Sequence, residues 1–152
     1  MAINLKSKFA KNIIAMHGEE GRWWLKCLPS IVASYKEIFG LSDIKQVTNL
    51  SYNYIVSCSY AGRDTILKIG FEEDAFWKER DALDAFRGFG SVEYLGGGGE
   101  VMLLDRIIPG YSLKSYFPDK ENESLAIACK VIKRLNEAPI TMRVTGCKFP
   151  HL

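Results

Sequence analysis

The chain has 152 residues, 20 Lys+Arg against 18 Asp+Glu, and 47% hydrophobic and 12% aromatic residues. That length accommodates one compact unit with a partial second, and a chain of this size buries roughly two-thirds of its unfolded surface without a metal or disulfide staple. A formal charge of +2, spread evenly, is too small for an electrostatic binder of nucleic acid or membrane, and the aromatic content excludes a disordered chain.

The first forty residues carry a helical period. Trp24, Leu28, Ile31, Tyr35 and Ile38 recur at spacings of three and four, which places them on one stripe. Pro29 fits the first turn of a second helical piece, and Gly40 is a stop. From Gln46 the period changes. Gln46–Leu50, Tyr54–Tyr60 and Thr65–Ile69 are short runs rich in β-branched and aromatic residues, with the turn-forming Ala61-Gly62-Arg63-Asp64 before the last. They predict three strands of an antiparallel meander.

Glu72 to Phe86 returns to a helical period, ended by Arg87-Gly88-Phe89-Gly90. Ser91–Leu95 and Val101–Arg106 predict a strand pair around Gly96-Gly97-Gly98-Gly99. That glycine run reads as a loose hairpin turn, since neither a helix nor a lysine follows it as a phosphate cradle requires. Ile108-Pro109-Gly110 breaks the pattern before a short Ser112–Phe117 segment. Asp119 then caps a helix whose stripe is Leu125, Ala128, Val131, Ile132 and Leu135. Five antiparallel strands with one helix inserted after the third make an α+β lobe.

Cys27, Cys58, Cys129 and Cys147 form no C-x-x-C pair, and the amino end carries no apolar block. They read as free thiols of a cytoplasmic protein. No run approaches the ~20 apolar residues of a membrane span.

Lys68 sits inside a strand with apolar neighbours, where a buried ammonium requires an anion. Glu79 offers one, because it shares a helix stripe with Phe76 and Leu83. Such a lysine can also hold two phosphates of a nucleotide. The alternative is that Lys68 snorkels to the strand edge and Glu79 marks a face boundary. The turn Leu50-Ser51-Tyr52-Asn53-Tyr54 contains no glycine. Ser51 and Asn53 either offer donors to phosphate oxygens or simply favour a turn.

Taken together, several segments resemble the amino-terminal part of the aminoglycoside/hydroxyurea antibiotic-resistance kinases, the group that includes streptomycin 6-kinases. They are Trp24-Leu25-Lys26-Cys27-Leu28-Pro29, Leu50 to Val56, Ile66-Leu67-Lys68-Ile69-Gly70, and Glu79 with Ala82-Leu83. Leu103 to Gly110 and the terminal Phe149-Pro150 complete the set. The resemblance implies a protein-kinase-like fold that transfers the γ-phosphoryl group of ATP, with Mg2+, to a hydroxyl of a small molecule. It implies that Lys68 meets the α- and β-phosphates, that Glu79 is its helix partner, and that Ser51 and Asn53 lie in the phosphate-covering turn. Asp105, Arg106, Ile107 and Ile108 become the hinge that binds the adenine edge.

Family members continue into a helical lobe with a catalytic His-x-Asp and a metal-binding Asp. After the hinge this sequence has one aspartate, Asp119, and its late histidine, His151, is the penultimate residue. No catalytic residue and no metal ligand is therefore assigned. The organisation expected is a helical segment over 1–45, a kinase-like lobe with hinge over 46–108, and the start of a helical lobe over 109–152. One functional expectation is a truncated small-molecule kinase, inactive alone, that binds nucleotide and meets its acceptor only when the second lobe is supplied. The other is a non-catalytic interaction or oligomerisation module that self-associates through its exposed last helix.

Overall fold

The computed structural model describes residues 3–139. Ser7 opens the first helix, its hydroxyl accepting from the Ala10 N–H, and the helical run α1 spans Lys8–Phe39. Gly18 divides it, with φ 59° and ψ −132°, a region open essentially to glycine. The break thus falls at Gly18 rather than at Pro29, which lies within the second piece and removes one backbone bond there. Gly21 lets the two pieces meet, since a Cβ on it would sit 2.7 Å from the Ile13 carbonyl oxygen.

On the predicted stripe Trp24 and Leu28 are buried, and Ile31 and Tyr35 pack partly buried against them. Ile38 departs from it, at 67% exposed. Phe39 takes its place, stacked on Tyr35 and edge-on to Tyr60. Gly40, in the left-handed conformation, ends the helix.

Five strands follow in one antiparallel sheet of order β1-β2-β3-β5-β4: β1 Ser42–Gln46, β2 Tyr54–Tyr60, β3 Arg63–Ile69, β4 Tyr94–Gly98 and β5 Val101–Asp105. Helix α2 (Glu73–Ala85) is inserted after β3, and a short 3-10 helix (Leu113–Tyr116) precedes α3 (Glu121–Asn136). The expected α+β arrangement is present. Ala61 and Gly62 both have positive φ, the two-residue hairpin turn whose twist suits its strands.

Two strands lie elsewhere than the period predicts. The first occupies Ser42–Gln46 instead of Gln46–Leu50, as an edge strand exposed at four of its five residues. An edge of that kind needs no apolar alternation, and Leu50 serves as a core plug beyond it. The fourth occupies Tyr94–Gly98 instead of Ser91–Leu95, so three of the four glycines are strand residues. A Cβ on Gly96 would meet the Phe39 ring at 3.2 Å, and one on Gly97 would lie 2.1 Å from the Val101 carbonyl oxygen. The turn itself is Gly99-Glu100. Lys120, not Asp119, holds the N-cap position of α3, with no side-chain cap bond.

Alternation along β5 explains the layering. Val101 and Leu103 join the cluster formed with α1, while Met102 and Leu104 join Phe76 of α2 on the opposite face. The sheet is therefore covered by α1 on one side and in part by α2 on the other. Helix α3 leans on the loop after α2, where Arg134 donates to the Gly88 carbonyl at 2.9 Å. Cys27, Cys58 and Cys129 are free thiols, and no described helix is long and apolar enough to cross a membrane. Cys147, Phe149, Pro150 and His151 lie outside the described residues.

Candidate functional site

Strand β3 presents Thr65, Leu67 and Ile69 to the α1 face, all fully buried, so Ile66 and Lys68 point to the α2 face. Lys68 is flanked across the sheet by Ile55 of β2 and Met102 of β5. Its Nζ donates to both carboxylate oxygens of Glu79, at 2.6 Å to Oε1 and 2.5 Å to Oε2, and lies 5.1 Å from the centre of the Phe76 ring. Helical spacing puts Phe76, Glu79 and Leu83 on one face of α2, and Phe76 is the buried anchor that seats this face on β5. Gly70 admits that anchor, because a Cβ there would fall 2.0 Å from the Phe76 ring. The lysine side chain is 15% exposed and the glutamate 40%. The ammonium is thus largely shielded, while the carboxylate keeps access to water.

The segment joining β1 to β2 closes the Ile69 end of the sheet, since Tyr54 pairs with Ile69. Leu50 and Tyr54 are buried on either side of it, Ser51 is exposed and Asn53 half-buried. The Ser51 carbonyl accepts from Asn12 Nδ2 of α1 at 3.1 Å. No hydrogen bond joins the side chain of Ser51 or Asn53 to Lys68 among the described residues.

Asp105 to Ile108 lie at the opposite end, where Asp105 pairs with Thr65. Three residues of strand, about 10 Å, separate this level from Lys68. Two of the four hinge amides are already committed: Asp105 N–H donates to the Glu93 carbonyl at 2.9 Å, and Arg106 N–H to the Asp64 carbonyl at 3.1 Å. Arg63 reinforces this end with ion pairs to Glu93 at 3.0 Å and to Asp105 at 3.2 Å. Its hydrogen bond to Glu93, and then the charge of Asp105, hold the Arg63 pKa above the ordinary arginine value. Ile107 and Ile108 are 67% and 61% exposed.

The structure brings Lys68 and Glu79 together and sets the other predicted residues at the two ends of the same strands. Asn12 and the Arg63–Glu93–Asp105 network were not legible in the sequence, since each joins segments far apart in the chain. Among the described residues no group of three or more His, Cys, Asp or Glu side chains is placed to hold a metal.

Neither protein-family models nor curated proteins match this chain. Solved structures do. It is similar to aminoglycoside phosphotransferase APH(4)-Ia, with a TM-score of 0.54 and 20% identity over 75% of this chain and 41% of that one. A thermostable mutant of APH(4)-Ia, in ternary complex with ADP and hygromycin B, matches with a TM-score of 0.51 and 21% identity over 72% and 39% of the two chains. The fold is therefore the kinase-like fold of aminoglycoside phosphotransferases, over about two-fifths of the length of those structures. The likeness supports that fold at large and does not single out the streptomycin-type branch.

Proposed function

We propose that this chain is the nucleotide-binding lobe of an ATP-dependent small-molecule phosphotransferase. The observation that carries the reading is the Lys68–Glu79 pair, a shielded ammonium held by a helix carboxylate on the α2 face. Lys68 then neutralises the α- and β-phosphates of ATP, and Glu79 fixes its position for that contact. The segment bearing Ser51 and Asn53 covers the phosphates at one end. At the other, Asp105 and Arg106 anchor the hinge to the sheet, which leaves the backbone groups of Ile107 and Ile108 for the adenine edge. Mg2+ would neutralise the β- and γ-phosphates when bound, and no side chain of this chain is assigned to it.

The acceptor class follows from the fold neighbours alone. One of them was captured with ADP and hygromycin B, which supports an aminoglycoside hydroxyl as acceptor once a catalytic carboxylate is supplied. Resistance to that class of antibiotic is the corresponding biological role. Calorimetric titration of MgATP and ADP against the chain and its Lys68→Met variant tests the reading. Saturable binding that the substitution weakens at least tenfold supports it; no binding, or equal binding by both, overturns it.

A second reading rests on α3, where Leu125 and Ile132 are 58% and 56% exposed. Here the lobe serves as an interaction module that associates with itself through this helix, without phosphotransfer.

A further inference from the structure

We propose that Asn12 is a positioning residue for the nucleotide site, acting through the Ser51–Tyr52 peptide; the inference rests on the nucleotide reading above. The segment between β1 and β2 has no glycine, so it lacks the backbone freedom by which glycine-rich loops settle around phosphates. It is fixed from outside instead. Phe9 packs on Tyr54 with ring centres 5.9 Å apart, Leu50 is buried in the same cluster, and Asn12 Nδ2 donates to the Ser51 carbonyl at 3.1 Å. The same helical piece reaches the approach to α2, where His17 stacks on Phe71 at 3.8 Å. One short helix, set off by the Gly18 kink, therefore holds both segments that border Lys68 on the Ile69 side.

Peptide planarity gives this tether a direction. In a trans peptide the carbonyl and the following N–H point to opposite sides. Because the Ser51 carbonyl is drawn towards α1, the Tyr52 N–H is turned away from α1. The α1 helix covers the face opposite Lys68, and among the described residues the Tyr52 N–H has no hydrogen-bond partner. Asn12 thus aims a backbone donor towards the side on which phosphates would meet Lys68. Backbone N–H groups presented in this way are a recurrent means of binding phosphate.

Asn12→Leu is nearly isosteric and uncharged but cannot donate, whereas Asn12→Gln retains an amide donor. In Asn12→Leu, the NMR order parameters of the 50–53 backbone amides should fall from the rigid range of about 0.85 to below about 0.6, with β2, β3 and β5 unchanged. ADP affinity should fall about fivefold, the factor that one net hydrogen bond carries, while adenosine affinity is unaltered, and Asn12→Gln should restore both order and affinity towards wild type. Unchanged order parameters in 50–53 overturn the tether. Equal loss of ADP and adenosine affinity overturns the positioning role and leaves a structural one. A wild-type chain that binds no nucleotide overturns the nucleotide reading and with it the positioning role, while the order parameters still decide the tether separately.

Discussion

Lys68 and Glu79 share an ion pair but not an environment, and that difference separates stability from binding. Removing Glu79 strands an ammonium against Ile55, Ile66 and Met102, and leaving a shielded charge unpaired costs more than the exposed-pair range. Glu79→Ala should therefore lower the unfolding free energy by about 2 kcal/mol. Lys68→Met keeps the apolar stem and frees a carboxylate that water can reach, so its cost should stay below about 1 kcal/mol. Urea unfolding of both variants checks this order; the reverse order would mean that the lysine is retained for the fold alone. Alkaline pH offers a second test. Burial raises the pKa of Cys58 above its ordinary 9.0. Burial likewise raises Tyr35 and Tyr54 above 10.0, with Glu100 and Tyr94 adding to the effect on Tyr35. Each group keeps its proton when folded beyond the pH at which the unfolded chain releases it. Above these values the native state thus binds more protons, so stability is full below pH 9 and falls as pH rises through the folded pKa values. Urea midpoints from pH 8 to 11 should decline, with a shallower decline in Tyr54→Phe; a flat profile would contradict the assignment. The lysine and glutamate were legible because strand alternation and helical period each fix a face. Asn12 was not, because its partner lies 39 residues away and no local period encodes such a bond.

The glycines of β4 show where local reading fails. A strand of glycines has no side chains to alternate, so Gly96 to Gly98 read as a turn. The cause of their composition is α1, whose Phe39 lies against Gly96, together with the close approach of β5 to Gly97. Adjacent positions should then respond very differently. Gly97 has φ +139° and its added Cβ would lie 2.1 Å from a carbonyl oxygen, so Gly97→Ala should cost about 3 kcal/mol. Gly98 has open space around it and ordinary φ, so Gly98→Ala should change stability by less than about 0.5 kcal/mol. Thermal melts of the two variants decide this, and equal melting temperatures would refute the backbone contact as the reason. Elements with their own period, such as α2 and β2–β3, were readable to within a residue or two. The Gly18 break was not, because glycine within a helical pattern is permissive and does not announce the angle it will take.

For the molecule as a whole, the order of elements carried the fold: few arrangements place one helix after the third of five antiparallel strands. What that order could not give is which surface stays uncovered. Leu125, Val131 and Ile132 of α3 are exposed, as are Ile107, Ile108, Tyr111 and Phe117 in the segment that leads to it. If this surface drives association, sedimentation velocity should show concentration-dependent dimers or larger species that Leu125→Lys/Ile132→Lys abolishes. A monomer at all concentrations would remove the module reading and leave nucleotide binding untouched. The contact of Tyr35 with the Gly98 carbonyl, which spans 63 residues, has a consequence in time. During synthesis the second piece of α1 emerges long before the strand on which its end rests; Phe39 reaches Tyr60 once β2 is made, but the Tyr35 bond to Gly98 and the Phe39 contact with Gly96 must wait until β4 has been made. The meander β1–β3 can assemble while they wait, so the amino-terminal helix, first to be translated, is among the last elements to complete its packing.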